Sequence, residues 1–440
     1  MSGTALVINP YIHDFKLYDE WMHPLGLYLL IDTLESNGIR VRFFDCLERT
    51  ETPVHKKYST GTFTFREIPK PPPYAAIQRK YKQYGCLPEK LIAFCEESPP
   101  PDIVFIGSMM TYWAGGVVET VRLIHRILPE VPLVIGGIAA RLIPDFFRSA
   151  LPEVNLFGGM ISPEIEPAFP GIPFSLQSPA TSSLLTGYRL SGQKRHGPVL
   201  LSLGCPMHCS YCASRLLQPR YSRRSYATAV EETVTIAEKY GIRDFAFYDD
   251  ALLVDAEVQL VPFLEAIGSR INDCRFHTPN GLHLKYLTGR LTELLYHSGF
   301  TTLRFGYESG YGKHAGQTGA KADCTLLQEK LELVNRFPFP DTGVYIMGGL
   351  PRSTPSEMMA EMRQTALSGV SVKPVFLSPV PGTPVFREYA SRYAQLLTDP
   401  LWQNDSFFVT QLGGWGAGAV EEIRRCAREL NAANRREPSV

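Results

Sequence analysis

The sequence predicts an α/β protein in two parts: an N-terminal doubly wound, Rossmann-like parallel sheet, then a partial (β/α)6 barrel of the TIM type. Three observations carry this expectation. Apolar, β-branched runs alternate with stretches of helical periodicity through most of the 440 residues. The alternation breaks over 159–196, where Pro, Ser and Gly dominate. It then resumes as six further strand–helix repeats at barrel spacing.

In the first part, strands are expected over 4–9, 39–45, 102–108 and 132–135, with helices over 25–37 and 116–128. The first helix stops at Asn37-Gly38, a pair suited to a helix C-terminus. Such a sheet takes ligands in the crevice beyond its strand C-termini. Residues 46–101 interrupt it; they are polar, carry Pro69, Pro71, Pro72 and Pro73, and close on Pro99-Pro100-Pro101. An insertion of that length reads either as a partner-facing segment or as a solvated excursion. The barrel strands are expected over 199–203, 244–248, 275–278, 302–306, 342–347 and 373–377, with helices over 227–240, 258–272 and 324–337. The domains expected are therefore 1–160 for the sheet, 161–196 for a linker, 197–390 for the barrel and 391–440 for a helical tail, its helix over 419–433.

Composition excludes several classes. Hydrophobic residues make up 44% and charged residues 20%, enough apolar material for more than one core. Lys plus Arg and Asp plus Glu both number 44, so the net charge of +0 disfavours nucleic acid as the main partner. The N-terminus lacks the charged and apolar regions of a signal peptide, and no apolar run approaches the roughly 18 residues of a membrane span. A reducing, cytoplasmic setting is expected, so the nine cysteines should be thiols or metal ligands. Cys274 and Cys324 read as small core residues. The aromatics Tyr11, Phe15, Tyr18 and Trp21, in the loop after the first strand, could cover a flat ligand or pack between domains.

Three cysteines stand together in Gly204-Cys205-Pro206-Met207-His208-Cys209-Ser210-Tyr211-Cys212, directly after the first barrel strand. Three thiolates in one short loop can hold three irons of a cubane and leave the fourth open to a small chelating ligand. Zinc is the competing reading, with His208 as fourth ligand, but His208 adjoins Cys209 and neighbouring side chains converge poorly on one ion. The basic run Lys194, Arg195, Arg215, Arg220, Arg223 and Arg224 flanks the motif and reads as a solvated face or as a contact for an anion.

The C-x3-C-x2-C spacing, with Tyr211 before the last cysteine and a (β/α) series following, resembles the radical S-adenosylmethionine superfamily over about 197–386. The resemblance implies a [4Fe-4S] cluster on Cys205, Cys209 and Cys212, whose open iron chelates S-adenosylmethionine and whose reduced form cleaves it to a 5′-deoxyadenosyl radical. It further implies a flavodoxin- or ferredoxin-type electron donor. By the same resemblance, S-adenosylmethionine would be met by Tyr211, by Tyr248, Asp249 and Asp250, by Asn280, by Glu308, and by Met347 and Gly348. The substrate, a small molecule or a peptide, is not legible.

The first domain resembles that of the cobalamin-binding branch of this superfamily. Ser108 and Thr111 after the third strand, Gly136-Gly137 after the fourth, and Pro24-Leu25-Gly26-Leu27 at the first helix carry the likeness. It implies a cobalamin seat formed with His23, Gly26, Ser108, Thr111, Gly136 and Gly137, and methyl transfer to an unactivated carbon. The D-x-H-x-x-G signature is incomplete, because Trp21 replaces the Asp that would support His23 on cobalt. The alternatives are a cobalamin-independent radical rearrangement or oxidation, and a non-catalytic metal or corrinoid carrier. Strictly anaerobic preparation is expected to give about four irons and four sulfides per chain, and Cys205→Ala to make no 5′-deoxyadenosine. Zinc near one equivalent without iron would identify a scaffold instead.

Overall fold

The computed structural model describes residues 3–49, 57–157, 182–192, 194–319 and 322–434. The chain forms two compact units, Met1–Arg195 with Gln395–Trp402 and His196–Ala394 with Gln403–Val440. Among the described residues no helix is long and apolar enough to cross a membrane.

The strands of the first unit are β1 (Thr4–Asn9), β2 (Ile12–Asp14), β3 (Arg40–Asp45), β4 (Phe65–Glu67), β5 (Lys82–Tyr84), β6 (Ile103–Ile106), β7 (Leu133–Gly136) and β8 (Asn155–Phe157). Five of them form a parallel sheet in the order β3-β1-β6-β7-β8. The winding reverses between β1 and β6, the switch point at which such sheets open a crevice. Every residue of β6 is buried, as expected for a strand covered by helices on both faces. On one face Leu6, Ile8, Val104, Ile106 and Ile135 pack against Val117, Val121 and Ile124 of the helix Ala114–Ile127.

The insertion is part of this unit. β5 is the central strand of a three-stranded antiparallel sheet, pairing with β2 on one side and β4 on the other. Phe15 packs against Tyr74 and Tyr81 at centroid distances of 4.9 and 5.1 Å. The buried pair Arg49–Asp19, at 2.8 Å, ties its start to the loop after β2. Average polarity hid these contacts, because the tyrosines that make them carry a polar tip on an apolar body. The loop aromatics Tyr11, Phe15 and Trp21 are thus core, and the Trp21 indole N–H donates to Tyr58 O at 2.8 Å.

Of the expected linker, 161–181 and 193 lie outside the described residues. The remainder contains a helix, Leu185–Leu190, docked on the helix Leu25–Ser36 through the buried Asp32. Its carboxylate accepts from Ser183 N at 2.8 Å and from Thr186 Oγ1 at 2.5 Å.

The second unit contains β9 (Gly197–Val199), β10 (Ser202–Leu203), β11 (Ser222–Arg223), β12 (Asp244–Phe247), β13 (Arg275–His277), β14 (Phe300–Glu308), β15 (Asp341–Gly348) and β16 (Ser371–Phe376). Six strands form a parallel sheet in sequential order, β9-β12-β13-β14-β15-β16. The strand expected over 199–203 is broken: β9 ends at Val199, and Ser202–Leu203 pairs antiparallel with β11 instead. Phe247 and Phe300 stack at 5.5 Å and 8° beside Phe263 and Phe276. The tail helix Gly416–Asn434 covers the edge of β16. There Asn431 Oδ1 accepts from Val372 N at 2.8 Å and Asn431 Nδ2 donates to Val372 O at 2.9 Å, so one amide occupies the hydrogen bonds a further strand would make.

Arg224 and Glu232 form a bidentate pair at 2.5 and 2.7 Å with side-chain exposures of 0% and 5%. Arg224 Nη1 also donates to Leu200 O at 3.2 Å. Glu232→Ala would leave a buried, unpaired guanidinium and is expected to destabilise this unit by about 3–5 kcal/mol, read from denaturant unfolding.

Candidate functional site

The site lies where the barrel strands end. A cavity of about 290 Å3 is lined by Cys205, Cys209 and Cys212, by Asp250 after β12, Asn280 and His283 after β13, Glu308 at the end of β14, Tyr345 and Met347 of β15 and Val375 of β16. Alternation along β15 turns Tyr345 and Met347 toward the cavity while Ile346 is buried on the other face.

The cysteine loop is held at both ends. At its start, the buried Asp249 carboxylate accepts from Leu201 N at 3.1 Å and Ser202 Oγ at 2.6 Å. Gln259 Nε2 donates to Leu201 O at 3.2 Å and to Arg224 O at 2.8 Å. The chain then turns at Gly204, whose φ of 78° favours glycine. Further on, Ser210 N donates to Gln317 O at 2.8 Å and Val385 N to Ser210 O at 3.1 Å. Gly319, at φ 68°, lies so close that an added Cβ would sit 3.2 Å from Cys209 Sγ.

The residues expected to meet S-adenosylmethionine divide. Asp250, Asn280, Glu308 and Met347 line the cavity with the three cysteines. Asn280 is oriented by its amide, which donates to Tyr248 O at 3.1 Å and Asp249 O at 3.3 Å. Glu308 is 7% exposed and left-handed at φ 68°, beside a register shift in the β14–β15 pairing. That conformation costs about 1–3 kcal/mol in a non-glycine residue, and it turns a strand-end carboxylate into the cavity.

Tyr211, Tyr248, Asp249 and Gly348 are not among the lining residues. Burial holds the Tyr211 phenol well above its usual range, with Glu308 and Cys209 adding to the effect. Asp249 is bonded to the loop backbone, as described above. An added Cβ on Gly348 would meet the Trp415 indole at 2.7 Å, so that glycine makes room for the tail rather than for a nucleoside.

His283 and Tyr345 are cavity residues that the sequence reading did not single out for this site. The only signal for His283 was its position just after the Asn280-Gly281 strand end. The basic run has divided fates: Arg215 lines the cavity, Arg220 and Arg223 are exposed, and Arg224 is buried in its ion pair. Cys274 is buried as expected, whereas Cys324 is exposed, its Sγ 3.0 Å from the Tyr307 hydroxyl.

In the first unit the expected cobalamin-seat residues sit at the C-terminal edge of the sheet. The Ser108 hydroxyl donates to Gly136 O at 2.7 Å and accepts from Ala140 N at 3.0 Å, linking the ends of β6 and β7. Gly137, at φ 100°, could not be another residue, since a Cβ would lie 2.3 Å from Ser108 O. Thr111 is buried at the turn before the helix Ala114–Ile127. Gly26 is exposed, with nothing within 4 Å of a built Cβ, and Met110 and Ile138 are exposed at 42% and 39%. This open, partly apolar edge fits a corrinoid or its tail. His23 does not fit as a cobalt ligand: it is 5% exposed, its Nδ1 is 3.1 Å from the Tyr28 hydroxyl, and its ring lies against Tyr28 and Tyr188.

The donor set in the second unit fits a cluster. Three thiols line one cavity, with no fourth cysteine among the lining residues. A zinc site takes four ligands about 2.0–2.3 Å from a single ion. A cubane takes each thiolate on a different iron.

Burial pushes the Asp249 carboxyl up to about 6, although its hydrogen bonds from Ser202 and Leu201 lower it. An unfolded aspartate titrates near about 3.9, so the folded chain holds this proton more tightly. The penalty for the buried anion is full above about pH 6 and vanishes below about pH 4. Wild type is therefore expected to gain up to about 3 kcal/mol relative to Asp249→Asn as pH falls through that window, read as the difference between denaturant unfolding curves at several pH values.

No family model matches the chain. A curated relative, cytidylyl-2-hydroxyethylphosphonate methyltransferase of Streptomyces wedmorensis, is 21% identical over 377 residues, spanning 70% of this chain but only 65% of its own length. Among solved structures, the radical S-adenosylmethionine methyltransferase TsrM of Kitasatospora setae, with cobalamin and a [4Fe-4S] cluster bound, aligns over 97% of this chain and 91% of its own, with a TM-score of 0.65 at 16% identity. The cobalamin-dependent S-adenosylmethionine radical enzyme OxsB, with aqua-cobalamin bound, aligns over 83% of this chain and 52% of its own, with a TM-score of 0.55 at 12% identity. The chain thus shares the fold of these two solved enzymes.

Proposed function

We propose that this chain is a cobalamin-dependent radical S-adenosylmethionine methyltransferase acting on a small molecule. One observation carries the reading: the three thiols of a C-x3-C-x2-C loop line a single cavity together with carboxylate and amide groups from successive barrel strand ends. The relative from Streptomyces wedmorensis is named as a methyltransferase, and TsrM has also been solved with its tryptophan substrate and an S-adenosylmethionine analogue.

Cys205, Cys209 and Cys212 would hold the [4Fe-4S] cluster. When bound and reduced by an external donor of flavodoxin or ferredoxin type, the cluster supplies the low-potential electron of radical S-adenosylmethionine chemistry. Asp250, Asn280 and Glu308 offer acceptors for the ammonium and hydroxyl groups of S-adenosylmethionine. Arg215 brings a guanidinium to the same wall, suited to a carboxylate or to an anionic part of the substrate. Tyr345, Met347 and Val375 supply an apolar side that limits water. Tyr345 is fixed there by its hydroxyl, which donates to Pro279 O at 2.8 Å.

In the first unit, Gly26, Ser108, Thr111, Gly136 and Gly137 would border a corrinoid, with His23 kept in the core by Tyr28. Anaerobic purification with hydroxocobalamin is expected to give near-stoichiometric corrinoid beside the cluster absorbance after desalting. His23→Phe is expected to retain corrinoid with an unchanged cobalt spectrum. A chain that keeps its cluster but no corrinoid would refute methyl transfer through cobalamin and favour direct radical rearrangement or oxidation.

A further inference from the structure

We propose that His283 donates an N–H···S hydrogen bond to the Cys205 thiolate and thereby raises the reduction potential of the cluster; the inference rests on the cluster reading above. His283 is 3% exposed, lines the cavity, and places Nε2 3.9 Å from Cys205 Sγ. It lies 78 residues from Cys205 in the chain.

The ring is delivered by a stiff segment. Gly281 lies so close to β14 that an added Cβ would be 2.8 Å from Gly306 N. Leu282 N donates to Arg304 O at 2.8 Å, and Gly306 N to Leu282 O at 3.1 Å, so the backbone just before His283 is stitched to the central strand. Tyr286 N then donates to His283 O at 3.1 Å, and the Tyr286 ring stands edge-on to the imidazole at 6.3 Å and 83°.

The three thiols have different surroundings. Cys212 Sγ accepts from Ser214 N at 3.4 Å, a bond the loop makes for itself. Cys209 Sγ faces an acceptor, Thr318 O at 3.2 Å. Cys205 Sγ meets a donor-bearing side chain brought from the strand end after β13. A donor on a ligating sulfur withdraws charge from it, and this favours the electron-richer, reduced cluster. His283 is therefore a positioning residue that acts through Cys205. It alters how readily an external one-electron donor reduces the cluster, and no bond in the protein changes.

The test uses the full chain reconstituted anaerobically, with iron and sulfide counted first. Redox titrations followed by electron paramagnetic resonance then compare wild type, His283→Phe and His283→Gln. The midpoint is expected to fall in His283→Phe and to stay near wild type in His283→Gln, whose amide keeps an N–H donor. Equal midpoints in wild type and His283→Phe, with full clusters in both, overturn the hydrogen bond alone. A wild-type chain that takes up no iron overturns the cluster reading, and the hydrogen bond with it.

Should His283→Phe not assemble a cluster, a His208→Gln chain labelled with 15N-histidine decides. Weak nitrogen coupling to the reduced cluster is the expected result. No coupling, or the strong coupling of a directly bound nitrogen, overturns the proposal.

Discussion

The site depends on a break in a strand. β9 ends at Val199, and the next three residues are gripped from several sides: Leu200 O by Arg224, Leu201 N and Ser202 Oγ by Asp249, and Leu201 O by Gln259. Without these partners Leu200 and Leu201 would leave buried backbone groups unpaired. With them, the chain can leave the sheet early and enter the cysteine loop in one direction. The grip is made of charge: one buried carboxylate pushed up to about 6 and one buried ion pair. Neither is a cheap device, since desolvating ions opposes folding. Their worth lies in specifying where the loop begins.

From that anchor the cavity is assembled by strand-end geometry. Adjacent aspartates illustrate it, with Asp249 turned to the loop backbone and Asp250 toward the cavity. Asp250 Oδ2 also accepts from Ser214 Oγ at 3.0 Å, which links the second barrel strand to the chain two residues past Cys212. Glu308 reaches the same space through a left-handed backbone that few non-glycine residues adopt. Strain, buried charge and a stitched glycine all collect within this one region, as they do where geometry serves chemistry.

The first unit solves a different problem, keeping one sheet edge open while closing the core beneath it. Gly137 lets two strand ends touch through Ser108, while Gly26 leaves unfilled space at the first helix. The insertion completes the other side by packing its tyrosines on the loop after β2. Trp21 belongs to that packing: its left-handed backbone, at φ 63°, and its bond to Tyr58 make it a structural residue. Its presence in place of an aspartate goes together with a histidine bonded to Tyr28.

The sequence by itself determined what local chemistry governs. Helix and strand periods placed β1 over Thr4–Asn9 and the tail helix within three residues at either end, because burial of one face imposes a period on adjacent positions. The C-x3-C-x2-C spacing put three thiols on one loop, since eight residues of chain cannot separate them far. Tertiary structure alone decided which distant groups face those thiols. Asp249 or Asp250, Gly348 beside Trp415, and His283 beside Cys205 depend on strand register and on contacts across many tens of residues. No local propensity encodes those distances; they exist only once the sheet has closed its order and fixed its pleat.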